Sequence, residues 1–301
     1  MKISQSLIKE VEKNDHCPKQ IYYLFVENRE LEDIPDGWKL GRYFESQLLG
    51  ACRGGEIQEA KYKQVNLKPS KSDTKSVKVK FLQDREHNVE GLTVAELNEK
   101  LQFEPSEYVC GEKLTAYKDC DDLVSFSREV LEKIGLDLDN GESQLDIQTE
   151  LLSGAIDHRN RDINNSGSLA NYDLKYTETS ENDRWNGWGN PEDKWDSILQ
   201  AAHYTLVSYE ETGNWMPFYF LVFGINKSQN KRKWVKIVRY QFTQDSINQH
   251  KVKIAHTAEV IREYAQNDYK GKSTFNKCNS CPFNEMCEDR VLIPEVETYQ
   301  V

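Results

Sequence analysis

An α/β fold built on a central mixed β-sheet is what three features of this 301-residue chain predict. Strand-like segments come in two groups, with a helical segment between them and another after them, an order that suits a sheet covered by helices. The second group, "WMPFYFLVFGI" and "KWVKIVRYQF", reads as a hairpin whose first strand is apolar enough to be central. The helix between the groups, 194–213, carries an apolar ridge of Trp195, Leu199, Ala202, Leu206 and Tyr209.

Taken in order, the chain opens with a helix expected over 4–14, and "QIYYLFVEN" follows Cys17-Pro18 as a second apolar stretch. The segment 38–55 reads as a helix because Leu40, Phe44 and Leu48 recur every four residues, and Gly54-Gly55 is expected to stop it. Residues 56–92 are polar and lysine-rich without clear periodicity. A capping box, Thr93 with Glu96, starts a helix over 93–102, and a further helix over 121–135 runs to Gly135. Residues 143–163 and 169–178 read as strands separated by the turn signal "NNSGS", and a Trp/Asn/Gly-rich loop leads into the 194–213 helix. A helix over roughly 250–265 precedes a cysteine-bearing tail. The division expected is one domain with N-terminal helices over 1–55, an insertion or helical subdomain over 56–140, a core over 141–248, and a C-terminal helix with clustered cysteines over 249–301.

Composition narrows the classes. A hydrophobic share of 38% and an aromatic share of 11% suffice for a real core. No run of eighteen apolar residues reads as a membrane span, and "MKISQSLIKEVEKND" lacks the apolar stretch of a secretory signal, so a soluble, cytoplasmic chain is expected. A net charge of −11 argues against coating nucleic acid with the whole surface, yet leaves room for a local basic channel. Lysines cluster over 61–80 and 226–236. Each cluster taken alone reads as a solvated loop before it reads as a nucleic-acid contact.

The segment "NYDLKYTET" (171–179) places Asp173 and Lys175 on one strand face and Tyr172, Leu174 and Tyr176 on the other. Asp157 stands 16 residues earlier, which is what two antiparallel strands and a turn need to bring the two acids together. Neighbouring carboxylates repel unless a cation joins them, and hard divalent ions suit an oxygen-rich site. Lys175 would then stand at the rim, where it orients water or stabilises charge on a phosphate. Gln200 and Tyr204 share a helix face, about 100° from the apolar ridge.

The succession "GAID", "YDLKYT" and "QAAHY" resembles the RecB-like branch of the PD-(D/E)XK nuclease superfamily, with its order G-x-x-D, D-x-K and Q-x-x-x-Y. "LGRYFESQ" (40–47) resembles the family's upstream helix, with Glu45 at or beside the place where many members carry a histidine; His16 lies outside that helix. The D-x-K is followed by Thr177-Glu178, where the family usually has Thr-Gly. The resemblance covers 1–55 and about 143–290. It implies a restriction-endonuclease-like core and a divalent ion, Mg²⁺ or Mn²⁺, held by Asp157, Asp173 and Glu45 with the Leu174 carbonyl. It further implies Lys175 as the catalytic lysine, and Gln200 and Tyr204 as holders of the DNA strand.

Seven cysteines in a chain read as intracellular do not suggest a disulfide framework. Cys278, Cys281 and Cys287 have ligand spacing, C-x-x-C-x5-C, and Cys17 in "HCPK" is the distant fourth thiolate. Four thiolates hold a 4Fe–4S cluster or a zinc ion. One cysteine near the N-terminus and three near the C-terminus resemble the iron–sulfur staple of RecB-like nucleases, as in the AddB-type helicase–nuclease subunit and the CRISPR-associated exonucleases. Such a staple would tie the two ends of the chain together. Cys52, Cys110 and Cys120 read as ordinary thiols.

The reading reached from sequence is a metal-dependent exonuclease of that type, with DNA as partner. Single strands are preferred because Trp185, Trp188 and the basic segments offer stacking and a charged groove. Any helicase or CRISPR adaptation partner would be a separate chain, and no membrane is involved. Two rivals stay open: a non-catalytic DNA-binding or assembly subunit with the same fold and cluster, and a zinc-stapled endonuclease.

Overall fold

The computed structural model describes residues 1–13, 16–29, 35–52, 56–185, 187–270 and 274–292. The chain divides into two compact units, one formed by 1–58 with 120–301 and the other by 59–119. The larger unit opens with α1 (Gln5–Val11), whose N-terminus is capped by the Ser4 hydroxyl, and α2 (Pro18–Ile21), which continues into a π-helical turn over Tyr22–Val26. Helix α3 (Asp36–Leu49) stops earlier than its apolar spacing suggests. Gly50 takes a left-handed conformation (φ 82°) that ends the helix, and the expected stop at Gly54-Gly55 lies outside the described residues.

The smaller unit holds β1 (Tyr62–Asn66), α4 (Lys75–Gln83), α5 (Val94–Phe103) and β2 (Tyr108–Lys113). Its strands pair antiparallel, and its core is Phe81, Leu82, Val89, Leu97 and Leu101. The capping box at Thr93 forms as its sequence predicts, with Glu96 reaching back to the Thr93 backbone. Helix α6 (Thr115–Lys133) begins in this unit and runs into the larger one.

The remaining elements build the main sheet: β3 (Glu142–Gln148), β4 (Ser153–Asp162), β5 (Asn165–Thr177), α7 (Trp195–Thr212), β6 (Phe218–Asn226), β7 (Arg232–Tyr240) and α8 (Gln244–Gln266), followed by the short α9 (Phe275–Ser280). The strand order is β3-β4-β5-β6-β7, with β5 and β6 parallel and the other pairs antiparallel. The sheet is therefore mixed, and helices flank it. Residues 143–163, expected as one strand, are two. Thr149 makes the reversal without a glycine: its amide donates to Leu152 O at 2.9 Å and its hydroxyl accepts from Leu152 N at 3.1 Å. The next reversal falls at Ile163-Asn164 rather than over "NNSGS", because Asp162 Oδ1 accepts from Asn164 N at 2.9 Å and starts the turn early.

Both faces of β5 are covered, so alternate residues are buried rather than only one set. Tyr172 stacks on Tyr219 (5.2 Å, 18°), Tyr176 meets Phe44 of α3, and Asp173 faces Gln200 of α7. Strand β6, apolar up to its last residue Asn226, has all nine residues buried between two neighbours. Behind it α7 and α8 pack through a buried histidine pair. His203 Nε2 donates to Ser153 O (2.9 Å), so its Nδ1 accepts from His250 Nε2 (3.3 Å). Burial holds His203 down at about 4 and, with the neighbouring His203 and Lys253, His250 at about 3. Unfolding lets both take up protons below their ordinary pKa of 6.5, so stability tied to them is full above 6.5 and declines as pH falls toward 3. The decline is on the order of 3 kcal/mol per histidine. Urea unfolding at pH 7 and pH 5 checks this: His250→Leu should lose less stability on acidification than the parent chain, and equal losses would refute the assignment.

Candidate active site

Asp173 is 2% exposed, an ionisable side chain taken almost wholly out of water. Two neighbours hold it. Gln200 Nε2 on α7 donates to Oδ1 at 2.6 Å, and Lys175 Nζ, two residues along β5, lies 2.5 Å from Oδ2. The ion pair is close but poorly aligned, and Oδ2 has no hydrogen-bond donor in line with it. From the adjacent strand, Asp157 Oδ2 accepts from the Leu174 amide at 2.7 Å. The amide between the two motif residues of β5 thus anchors the carboxylate of β4. Glu45 reaches the same neighbourhood from α3, its Oε1 accepting from Gln144 Nε2 at 2.7 Å.

The charges are felt in common. Burial, then Asp173 and Glu45, push the Asp157 carboxyl well above the usual carboxylate range. Burial raises Glu45 as well, with Asp173 adding to it. Asp173 is also raised by burial, against the opposing pull of Lys175 and Gln200. Burial alone would depress Lys175, but Asp173 and Asp157 outweigh it and hold the ammonium charged. Three acids with one lysine leave an excess of negative charge in a desolvated place, a setting that a hard cation relieves. Among the described residues, no three His, Cys, Asp or Glu side chains stand close enough together to form a ready-made metal cage.

The frame that positions these groups lies two residues away on each strand. Arg159 Nε donates to Asn171 Oδ1 (3.1 Å) and its Nη2 to Glu211 (2.7 Å), while Asn171 Nδ2 donates to Ser208 Oγ (2.8 Å). This buried network ties β4, β5 and α7 into one register, so Asp157, Asp173 and Gln200 cannot drift apart independently. Gly154 completes it, because a Cβ there would stand 3.1 Å from Tyr204 Cδ1 and 3.2 Å from Cε1. Tyr204 is buried, its ring 5.9 Å from that of Phe218. Gly154→Ala should destabilise the chain by about 1–2 kcal/mol through this overpacking, measurable by urea unfolding.

The structure brings Asp157, Asp173, Lys175 and Glu45 to one place and sets Gln200 against Asp173, so that this amide reaches its surroundings through the carboxylate it orients. For a divalent ion held by Asp173, Gln200→Ala should weaken binding by 10- to 100-fold, roughly, as loss of an outer-sphere partner does. Titration of Mn²⁺ by calorimetry would show it, and unchanged affinity would exclude the role. Gln144 and the Arg159–Asn171–Ser208–Glu211 network escaped the sequence reading. Gln144, which meets Glu45, has a backbone at φ 56°, a left-handed conformation that its sequence context does not announce. Arg159 and Asn171 have a recoverable signal, as both stand two residues from a candidate acid on paired strands.

Trp185 is open to solvent (93% exposed), whereas Trp188 is buried against Phe220 and forms part of the core rather than a stacking surface. In the lysine-rich segment 226–236, Lys227 in the turn after β6 pairs with Glu178, and Lys233 at the start of β7 pairs with Asp122. In the smaller unit Lys78 is buried and donates to Lys71 O at 2.7 Å.

Contacts between the first and last segments bring the cysteines together. Leu7, Val11 and Ile21 pack with Val260, Ile261 and Tyr264, the Tyr23 and Phe283 rings are 5.2 Å apart, and Lys19 lies 3.7 Å from Asp289. Cys17, Cys278, Cys281 and Cys287 line one small cavity between these segments. Val291 N donates to Cys278 Sγ at 3.3 Å. Burial raises the Cys281 and Cys287 thiols, and the other cysteines add to it. Cys52 and Cys120 are buried apart from this cavity, and Cys110 is exposed in the smaller unit.

Among the described residues, no helix is long and apolar enough to cross a membrane. No protein-family model matches the chain. No curated protein matches it either. Among solved structures, a crystal structure from Eubacterium rectale, described as a putative exonuclease, matches over 98% of this chain and 91% of its own, with 15% identity and a TM-score of 0.55. At that identity the likeness is one of fold, shared over nearly the whole of both chains.

Proposed function

We propose that this chain is a metal-dependent DNA nuclease of the RecB-like PD-(D/E)XK type, acting as an exonuclease on single strands and carrying a 4Fe–4S staple. One observation carries the reading: Asp157, Asp173 and Lys175 meet on adjacent strands with both carboxyls raised by burial and a buried Asp173 oxygen lacking an aligned donor. A scaffold used only for binding has no need of so costly a cluster. The fold shared with a protein described as a putative exonuclease supports the same class.

The donor set fits Mg²⁺ or Mn²⁺. Mg²⁺ keeps several waters and takes one or two carboxylates, so Asp157 and Asp173 suffice without a preformed cage of three. Glu45 and the Leu174 carbonyl would complete the surroundings. When bound, the ion supplies Lewis acidity toward water and the phosphodiester. The chain's own groups do the rest. Gln200 holds the Asp173 carboxylate in one orientation, and the Leu174 amide does so for Asp157. The Lys175 ammonium, kept charged by both acids, offers a proton and positive charge to the oxygens of the scissile phosphate.

The four cysteines around one cavity are the ligands we assign to a 4Fe–4S cluster, with a zinc ion as the alternative. A zinc ion needs four sulfurs converging at about 2.3 Å on one point. Metal analysis of the purified protein separates the two: iron with acid-labile sulfide supports the cluster, and one zinc without iron replaces it.

The test is digestion by anaerobically purified protein of end-labelled linear single strands and closed circles, with Mn²⁺ and then Mg²⁺, beside Lys175→Ala. Loss of linear substrate only, abolished in the variant, is the expected result. Cutting of circles moves the assignment to an endonuclease. Binding without cleavage of either overturns it in favour of a non-catalytic subunit.

A further inference from the structure

Trp185 is 93% exposed, the most open of the six tryptophans, and it stands on a tightly built loop between β5 and α7. Asp183 closes the loop: its Oδ1 accepts from the Trp185 amide at 2.9 Å, and its backbone carbonyl accepts from the Gly189 amide at 2.9 Å. Neither Gly187 nor Gly189 has room for a Cβ, which would stand 2.8 Å from Asp183 O in the first and 2.7 Å from Asn182 O in the second. The base of the loop is anchored on the sheet. Trp188 is buried against Phe220, Lys236 Nζ donates to Trp188 O at 2.5 Å, and Trp234 Nε1 donates to Thr179 O at 3.1 Å. An exposed tryptophan says little by itself, and its setting identifies what it faces.

That setting is positive and adjoins the candidate active site. The strand register places Lys175 of β5, Val222 of β6 and Lys236 of β7 in one row, on the sheet face where Gln200 of α7 meets Asp173. Adjacent strands lie about 4.8 Å apart, so Lys236 stands two strands, about 10 Å, from Lys175. Trp188 and the Lys175 amine lie against the same Phe220 ring, at 5.2 and 5.4 Å. The chain from Trp188 to Trp185 spans at most about 11 Å. Lys194 Nζ lies 5.0 Å from the Trp188 ring, and neither it nor Lys236 pairs with a carboxylate among the described residues. Arg184, beside Trp185, is exposed and likewise without an ion pair among the described residues. A flat apolar ring flanked by free cations suits a partner that alternates flat apolar faces with negative charges. An unpaired nucleic-acid strand has that chemistry, whereas a duplex hides its base faces in the stack.

We propose that Trp185 is the residue by which this chain distinguishes single strands from duplex. One unpaired base, within a few nucleotides of Lys175, stacks on the Trp185 indole, and Arg184 takes a neighbouring phosphate. Trp188 serves as the anchor and touches no base. The spacing of that base from the scissile phosphate rests on the nuclease reading, whereas the stacking does not.

Fluorescence anisotropy of a labelled single strand, its duplex and an abasic strand of equal length, all without divalent metal, tests the stacking. The variants are Trp185→Ala, Trp185→Phe and Arg184→Gln, whose exposed side chains leave the melting temperature unchanged. Trp185→Ala should weaken single-strand binding by about 5- to 150-fold and leave duplex binding unchanged, while Trp185→Phe keeps most of the affinity. The abasic strand should bind the parent as weakly as the intact strand binds Trp185→Ala. Arg184→Gln should flatten the salt dependence of single-strand binding by about 0.7 in log K against log salt. With Mn²⁺ added, one abasic nucleotide walked along the strand should slow cleavage at a single distance from the cut in the parent, and at none in Trp185→Ala. Equal losses for single strand and duplex, no loss in Trp185→Ala, or a parent that binds no single strand overturns the proposal. Cleavage that persists while binding ignores Trp185→Ala removes the stacking residue and keeps the nuclease. Stacking in the expected pattern without any cleavage does the reverse.

Discussion

On the nuclease reading proposed above, Asp157→Asn should leave the chain at least about 10³-fold slower on linear DNA and, at the same time, more stable by on the order of 1–3 kcal/mol at neutral pH. The two effects share one cause. Asp157 is held well above the usual carboxylate range by burial and by Asp173 and Glu45, so its charged form strains the metal-free fold. The asparagine keeps an acceptor for the Leu174 amide and leaves the Lys175–Asp173 pair in place, while removing the repelled charge. The sign of the pH dependence follows. An acid with a raised folded pKa favours the fold below its unfolded value, and that support is lost as pH rises through the folded one. The metal-free parent should therefore lose stability from about pH 4 upward more steeply than Asp157→Asn. Mg²⁺ or Mn²⁺ should raise the parent's melting temperature and leave the variant's nearly unchanged. A variant that is inactive and also less stable at pH 7 would show that Asp157 is an ordinary structural carboxylate.

Cys17→Ser should have the largest effect on the fold itself. It removes the one cysteine that the N-terminal segment brings to the cavity holding Cys278, Cys281 and Cys287. With a 4Fe–4S cluster in place, the variant should lose the brown absorbance and its iron, and melt at least about 10 °C lower. The loss should concentrate at the chain's ends, where the α1–α2 segment meets α8 and Phe283, and hydrogen exchange would locate it. A colourless parent containing one zinc would replace the cluster by a four-thiolate zinc site. A parent with no metal, and a variant of unchanged melting temperature, would leave the four thiols as packing residues.

How far the sequence carries the reader depends on the range of the interaction. Helices whose signals are local came out close to where they were expected: the capping box at Thr93 forms, and the apolar ridge of 194–213 packs on the sheet as α7. Turns built by side chains were less legible. Thr149 and Asp162 each reverse the chain without a glycine, so 143–163 read as one strand and the second turn was placed too late. The candidate site divides in the same way. Asp157, Asp173 and Lys175 were visible because strand alternation and a 16-residue spacing are short-range facts. That Gln200 binds Asp173, that Gln144 binds Glu45, and that Arg159 locks three elements together depends on contacts across 27, 99 and up to 52 residues.

By itself, then, the sequence determined the helices and strands with strong periodicity, the 16-residue spacing of the two acids and the split set of four cysteines, since periodicity and spacing depend on near neighbours along the chain; it left β1, α4 and β2 of the smaller unit unassigned. Only the tertiary structure decided which polar atoms are buried and what each one faces. Burial is a property of the packed whole: it turns three ordinary carboxyls into a strained cluster and seats Trp188 in the core while Trp185 stays in water.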